Sequence, residues 1–153
     1  HGYAIHTCVL RPKSIGEIRV NAQKQIEIDY NFLEKEHDMH VLIEGIKLAQ
    51  RILKQDVFKA FNGQEILPGP DVKTDADYQA YVREYAATVF HPVGTCKMGI
   101  DAMSVVDPKL KVVGFNNLRI ADASIMPDVV SGNTNAPCIM IGERAADFIL
   151  QQQ

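Results

Sequence analysis

The sequence predicts an α+β domain, an antiparallel sheet with helices packed on it. Three observations lead there. Apolar and charged residues alternate between residues 17 and 30; apolar residues recur at three- and four-residue spacing over 38–55 and again over 74–89; and a turn-rich connection at 62–73 separates the two helical stretches.

The elements follow in chain order. Residues 3–10 are a β-prone run stopped by Arg11-Pro12. Ile18 and Val20 alternate with Glu17 and Arg19, and after Asn21 to Lys24 the alternation resumes with Ile26, Ile28 and Tyr30 against Glu27 and Asp29. Two half-buried strands joined by a short polar turn are expected there. From Asp38 the period changes, and Met39, Leu42, Ile43, Ile46, Ala49 and Leu53 share one side of a helix running to about Gln55. Gly45 lowers the stability of that helix by about 1 kcal/mol relative to alanine, and a close backbone contact would explain its presence.

Thr74 with Asp77 resembles a capping box, with Asp in place of the usual Glu or Gln. Tyr78, Val82, Tyr85 and Val89 then continue at helical spacing, and this helix is expected to deliver the loop at His91. Residues 100–106 carry no assignable pattern. Leu110, Val112 and Val113 before Gly114 suggest a short strand and turn, Leu118 to Ala121 another strand, and Asp122 to Pro127 a turn. Asn135 is a plausible N-cap for a last helix with Pro137 in its first turn. Residues 136–150 are apolar nearly all round until Glu143 and Arg144, which predicts a helix buried on more than one side. The terminal Gln151 to Gln153 are expected to fray.

At 153 residues, 46% hydrophobic and 23% charged, the chain can bury a real core. A net charge of −3 makes no electrostatic case for nucleic acid or an acidic membrane surface. No apolar run approaches the roughly 18 residues that span a bilayer, and no signal-peptide pattern follows His1. Cys8, Cys96 and Cys138 are an odd set without C-x-x-C spacing, read as free, partly buried thiols of a reducing compartment, which points to the cytoplasm, with peripheral association to a membrane as the alternative.

Taken alone, His91 between Phe90 and Pro92 is more commonly a packed or capping residue than a catalyst, and Asn133 after Gly132 more commonly a turn residue. His37 and His40 with Asp38 are read as a solvated helix start rather than a metal cluster. His6 and Cys8 are read as structural, and Cys96 near His91 as no nucleophile. Even so, a histidine held by Pro92 and Gly94 and an amide at the mouth of a helix are parts from which an acid/base site can be built.

These residues also carry a family resemblance. HPVGTCKMG, DPKLKVVGFNNLRIADASIMP and SGNTNAPCIMIGERAADFI together resemble the C-terminal signature of the glucose-methanol-choline (GMC) oxidoreductases, flavoenzymes that oxidise alcohols, in the style of the choline dehydrogenase-like branch. The resemblance is dense over 88–150, thinner over 9–54 through LRPKSIGEIRV and IDYNFLEKEHD, and contributes little over 55–87. It implies a substrate-binding domain at 1–114, in whose sheet residues 3–10 become a strand, and a segment at 115–153 that completes the FAD-binding domain. It places His91 on the family's active-site histidine, as general base or hydrogen-bond acceptor for the substrate hydroxyl. It places Asn133 where the family carries Asn or a second His, donating to the alcohol oxygen and the alkoxide that develops there.

By the same resemblance, backbone around Asn133 and Thr134 contacts the flavin ring, and the Asp122-Ala123 turn lies near the cofactor's pyrophosphate. The N-terminus of the last helix faces the flavin's pyrimidine edge. The implied reaction converts a primary alcohol, with choline as one candidate, to an aldehyde, with hydride passing to flavin N5 and oxygen or a quinone-type carrier as acceptor. The chain has no G-x-G-x-x-G turn, and no two of its glycines stand two apart. It therefore reads as an isolated C-terminal fragment lacking the Rossmann FAD domain, its partners being a small alcohol and that domain of the same polypeptide. Such a fragment is expected to be inactive alone and to dimerise through an exposed apolar face. The rival reading is a non-catalytic ligand-binding or interaction domain that kept the fold; retention of both His91 and Asn133 argues against it.

Overall fold

The computed structural model describes residues 2–151, in the order β1 (Glu17–Val20), β2 (Ile26–Asp29), α1 (Glu36–Leu53), α2 (Asp75–Tyr85) and α3 (Asn135–Leu150). Short 3-10 turns stand at Asp56–Phe58 and Ala123–Ile125. The α+β class holds, with the sheet reduced to one antiparallel pair of strands. Two units divide the chain: His1–Gly16 with Tyr30–Val89, and Glu17–Asp29 with Phe90–Gln153.

In the first unit α1 buries Met39, Ile43 and Ala49 along the predicted stripe, and Met39 and Ile43 pack with Tyr78 and Val82 of α2. Gly45 is explained by a close approach, although of a side chain: a Cβ built there would lie 3.0 Å from Thr7 Cβ. Residues 3–10 form no strand, because a β-prone run needs a ladder partner and none pairs with it among the described residues.

The expectation of a solvated helix start at Asp38 is corrected. His37 and His40 are exposed, but Asp38 is only 3% exposed. Its carboxylate accepts from the backbone N–H groups of Lys13 (2.8 Å) and Ser14 (2.8 Å), while Ser14 Oγ accepts from Lys35 N. Burial by itself would raise the Asp38 carboxyl, but the hydrogen bonds from Ser14 and Lys13 and the charge of His37 outweigh it and hold the group below its ordinary value. This carboxylate fastens the Arg11-Pro12 turn to the start of α1. Among the described residues no group of three His, Cys, Asp or Glu side chains stands where it could hold a metal ion.

The capping box of α2 is complete in both directions: Thr74 Oγ1 accepts from Asp77 N, and the Asp77 carboxylate accepts from Thr74 N at 2.7 Å. Thr74→Ala is expected to lower the stability of this unit by about 1 kcal/mol, read as a lower urea midpoint at unchanged slope. The helix stops at Tyr85 and does not run on toward His91. Tyr85 and Val89 are 50% and 58% exposed, so extending the apolar stripe would bury nothing and would not offset the ordering of those residues.

In the second unit the expected hairpin forms, with Ile18 opposite Ile28 and Val20 opposite Ile26 and Lys24 at φ 61° closing the turn. All eight strand residues are exposed, so the expected half-burial is not realised within this chain. The core of this unit is Val106, Leu110, Ile125, Met126, Ile141 and Ala145. The expected strands at 110–113 and 118–121 are reduced to isolated bridges, Val106 with Val112 and Lys111 with Arg119. Helix α3 buries only the stripe of Ile141 and Ala145; Ile139, Met140, Ile149 and Leu150 are more than half exposed, which corrects the expectation of a helix buried on several sides.

Candidate active site

One core holds both halves of the site. Val93, two residues after His91, and Cys138, in the first turns of α3, pack on the same cluster. The His91 loop is further fixed through its backbone, Cys96 N donating to Ser124 O (2.9 Å) and Met98 N to Ile125 O (2.8 Å). Gly94 turns this loop at φ 92°, and a Cβ there would sit 3.4 Å from Met126 O. Immediately before His91, Phe90 adopts φ 63°; two residues before Asn133, Ser131 adopts φ 61°. Left-handed backbone at non-glycine residues carries a small conformational cost, and here both cases flank the polar side chains that meet.

Those side chains are His91, Asn133 and Thr134. Asn133 Nδ2 lies 2.8 Å from His91 Nε2, and Thr134 Oγ1 lies 3.0 Å from His91 Nδ1. The imidazole and Thr134 are partly buried and Asn133 is exposed, so the cluster faces outward from its own unit. An amide nitrogen can only donate, so with the Asn133 amide in this orientation Nε2 is the acceptor of the pair. Asn133 and His91 thus present an amide donor and an unprotonated ring nitrogen side by side, which suits an alcohol O–H that both gives up its proton and receives a hydrogen bond on its oxygen.

The last helix starts one residue away from the expected place. Asn135 is its first residue, not its N-cap; Thr134 is the N-cap, and no side chain caps the helix. Pro137, at the third helical position, has no N–H, and Thr134 Oγ1 is turned to His91 instead. The first turn of α3 therefore presents backbone N–H groups without a side-chain cap beside Asn133, where negative charge is stabilised by about 0.3–2 kcal/mol.

Asp122 and Ala123 lie on the 3-10 turn whose carbonyls anchor the His91 loop. The Asp122 side chain is committed to its own turn: Ser124 N donates to it at 2.7 Å, and bonding from Ser124 holds its carboxyl below the ordinary value. What this position offers outward is backbone. The three thiols are free; Cys96 and Cys138 are partly buried, whereas Cys8 is exposed. The contribution of Thr134 through its hydroxyl was not read from the sequence, although Thr three residues before Pro is the available signal: an N-cap hydroxyl whose third-position donor is missing.

Comparison with known proteins adds the following. A family model described as GMC oxidoreductase matches residues 12–142. An alcohol dehydrogenase (acceptor) of Pseudomonas putida is 45% identical over 155 residues, covering 99% of this chain and 28% of its own length. An oxygen-dependent choline dehydrogenase of Escherichia coli is 40% identical over 156 residues, covering 100% of this chain and again 28% of its own. The solved structure of Aspergillus oryzae RIB40 formate oxidase, described in a study of its FAD modification, superposes with a TM-score of 0.87 at 31% identity, over 95% of this chain and 26% of that one. This chain therefore spans just over a quarter of the length of the relatives it matches.

Proposed function

Because the chain belongs to the glucose-methanol-choline oxidoreductase family, we propose that it forms the substrate-side, C-terminal part of an FAD-dependent enzyme that oxidises a primary alcohol to an aldehyde. The observation that carries this reading is the 2.8 Å approach of Asn133 Nδ2 to His91 Nε2 at the mouth of α3. FAD, when bound, accepts the hydride that leaves the alcohol carbon. His91 Nε2 takes the hydroxyl proton as general base. Asn133 turns its amide to the substrate oxygen and stabilises the charge that develops as the proton departs. An amide cannot act as a base, which leaves that role to the imidazole.

Thr134 and the uncapped first turn of α3 would hold the flavin ring, and the backbone at Asp122 and Ala123 the pyrophosphate; residues 1–114 would serve the substrate and 115–153 complete the cofactor domain. The similarity to an enzyme named choline dehydrogenase makes choline one substrate to test, beside aliphatic and aromatic alcohols. The test is a panel of primary alcohols given to the full-length enzyme with a dye acceptor. Dye reduction with at least one alcohol is expected; none with any would favour the non-catalytic binding reading. The exposed Ile139, Met140, Ile149 and Leu150 of α3 support a further expectation, that the fragment alone is inactive and dimerises. Light scattering at rising concentration checks this, and a clean monomer counts against it.

A further inference from the structure

We infer that Thr134 is a positioning residue, whose hydroxyl accepts a hydrogen bond from His91 Nδ1–H and so holds the imidazole in the neutral tautomer with Nε2 unprotonated, able to act as a base once the Asn133 amide turns to the substrate. This rests on the alcohol-oxidation reading and adds to it a residue and a function.

The two ring nitrogens of a neutral histidine divide one proton, and which of them carries it is set by the neighbours. On one side Asn133 Nδ2 stands 2.8 Å from Nε2. An amide nitrogen donates and cannot accept, so this contact is a hydrogen bond only if Nε2 is bare. On the other side Thr134 Oγ1 stands 3.0 Å from Nδ1. A hydroxyl can donate or accept, and with the ring proton necessarily on Nδ1 it accepts. With the Asn133 amide in this orientation, the two contacts together select the Nδ1–H tautomer.

A second observation is independent of the histidine. Thr134 is the N-cap of α3, where a threonine hydroxyl ordinarily accepts from the second or third helical N–H, yet the helix has no side-chain cap. Pro137 at the third position has no N–H to give. Only the second-position N–H of Ala136 is left to compete for the hydroxyl, which is turned to His91 instead. Since Asn133 and Thr134 are consecutive, one short segment of backbone carries both groups that grip the ring, and a shift of that segment moves the donor and the acceptor together.

Two measurements on the full-length enzyme decide the matter. Neutron diffraction of deuterated crystals is expected to show deuterium on His91 Nδ1 directed at Thr134 Oγ1 and none on Nε2; deuterium on Nε2 alone overturns the assignment. Anaerobic stopped-flow then compares variants. General-base transfer as a whole contributes about 10²–10⁴-fold, so loss of tautomer control in Thr134→Val is expected to lower the limiting rate of flavin reduction about tenfold with the apparent alcohol affinity nearly unchanged. Thr134→Ser, which keeps the hydroxyl, is expected to restore the rate to within about twofold. A valine variant as fast as the wild type, or a serine variant as slow as valine, overturns the proposal. If wild-type enzyme reduces its flavin with no alcohol, the alcohol reading fails, and the diffraction result still decides where the proton sits.

Discussion

Replacing His91 with alanine in the full-length enzyme is expected to slow flavin reduction by alcohol by about 10²–10⁴-fold, the contribution of a positioned general base. The deletion removes the proton acceptor and also leaves Asn133 without the ring nitrogen it faces at 2.8 Å. Folding should be little affected. The imidazole is only partly buried, and its loop keeps the bonds from Cys96 N to Ser124 O and from Met98 N to Ile125 O, with Val93 still packed on the core. Anaerobic stopped-flow reads the rate, and a urea titration of the same protein separates a catalytic loss from an unfolded one. A drop of only two- or threefold would place the base elsewhere. Asn133→Ala removes a donor to developing charge, and losses of about 10²-fold are usual for such groups.

The second large effect concerns stability. Asp38→Ala is expected to lower the stability of the first unit by about 2–4 kcal/mol, because hydrogen bonds to a charged acceptor contribute about 1.5–3 kcal/mol and two backbone N–H groups lose their partner together. Among the described residues Lys13 N and Ser14 N donate to this carboxylate, which is only 3% exposed. A lower urea midpoint measures the loss. A change below about 0.5 kcal/mol, the range of ordinary surface substitutions, would show that the loop does not depend on this carboxylate.

The same group gives a pH dependence of defined sign. The folded value of Asp38 lies below its ordinary 3.8, so the native state holds fewer protons than the unfolded chain when the pH falls through that region. Its stabilisation is fully present above about 3.8 and is lost as the pH drops through the lowered folded value. Denaturation followed from pH 6 downward should show this decline in the wild type, and a flatter profile in Asp38→Asn.

Much of this protein was legible before any coordinates. The stripe Met39, Ile43, Ala49, the pair Tyr78 and Val82, the hairpin and the Thr74–Asp77 box are all local: each depends on residues within a turn or two, where periodicity and capping chemistry act directly. The pairing of His91 with Asn133 was also anticipated, but only by likeness to a family, because residues 42 apart in sequence have no local reason to meet.

What only the tertiary structure decided is where side chains point and what lies against them. Asp38 on a polar helix start reads as solvated, and it is the arrival of the Lys13-Ser14 loop that buries it. The strands at 3–10, 110–113 and 118–121 have the composition for ladders, yet a ladder exists only if another strand presents its N–H and C=O groups alongside. Thr134 has the same alternatives as any N-cap threonine, and its hydroxyl turns to His91 because a core formed by distant segments carries the histidine loop to the start of α3. Sequence by itself determined the elements and the residue types able to do chemistry; long-range packing decided their partners, since burial and hydrogen bonding depend on what is near in space, and the chain encodes that nearness only through the whole fold.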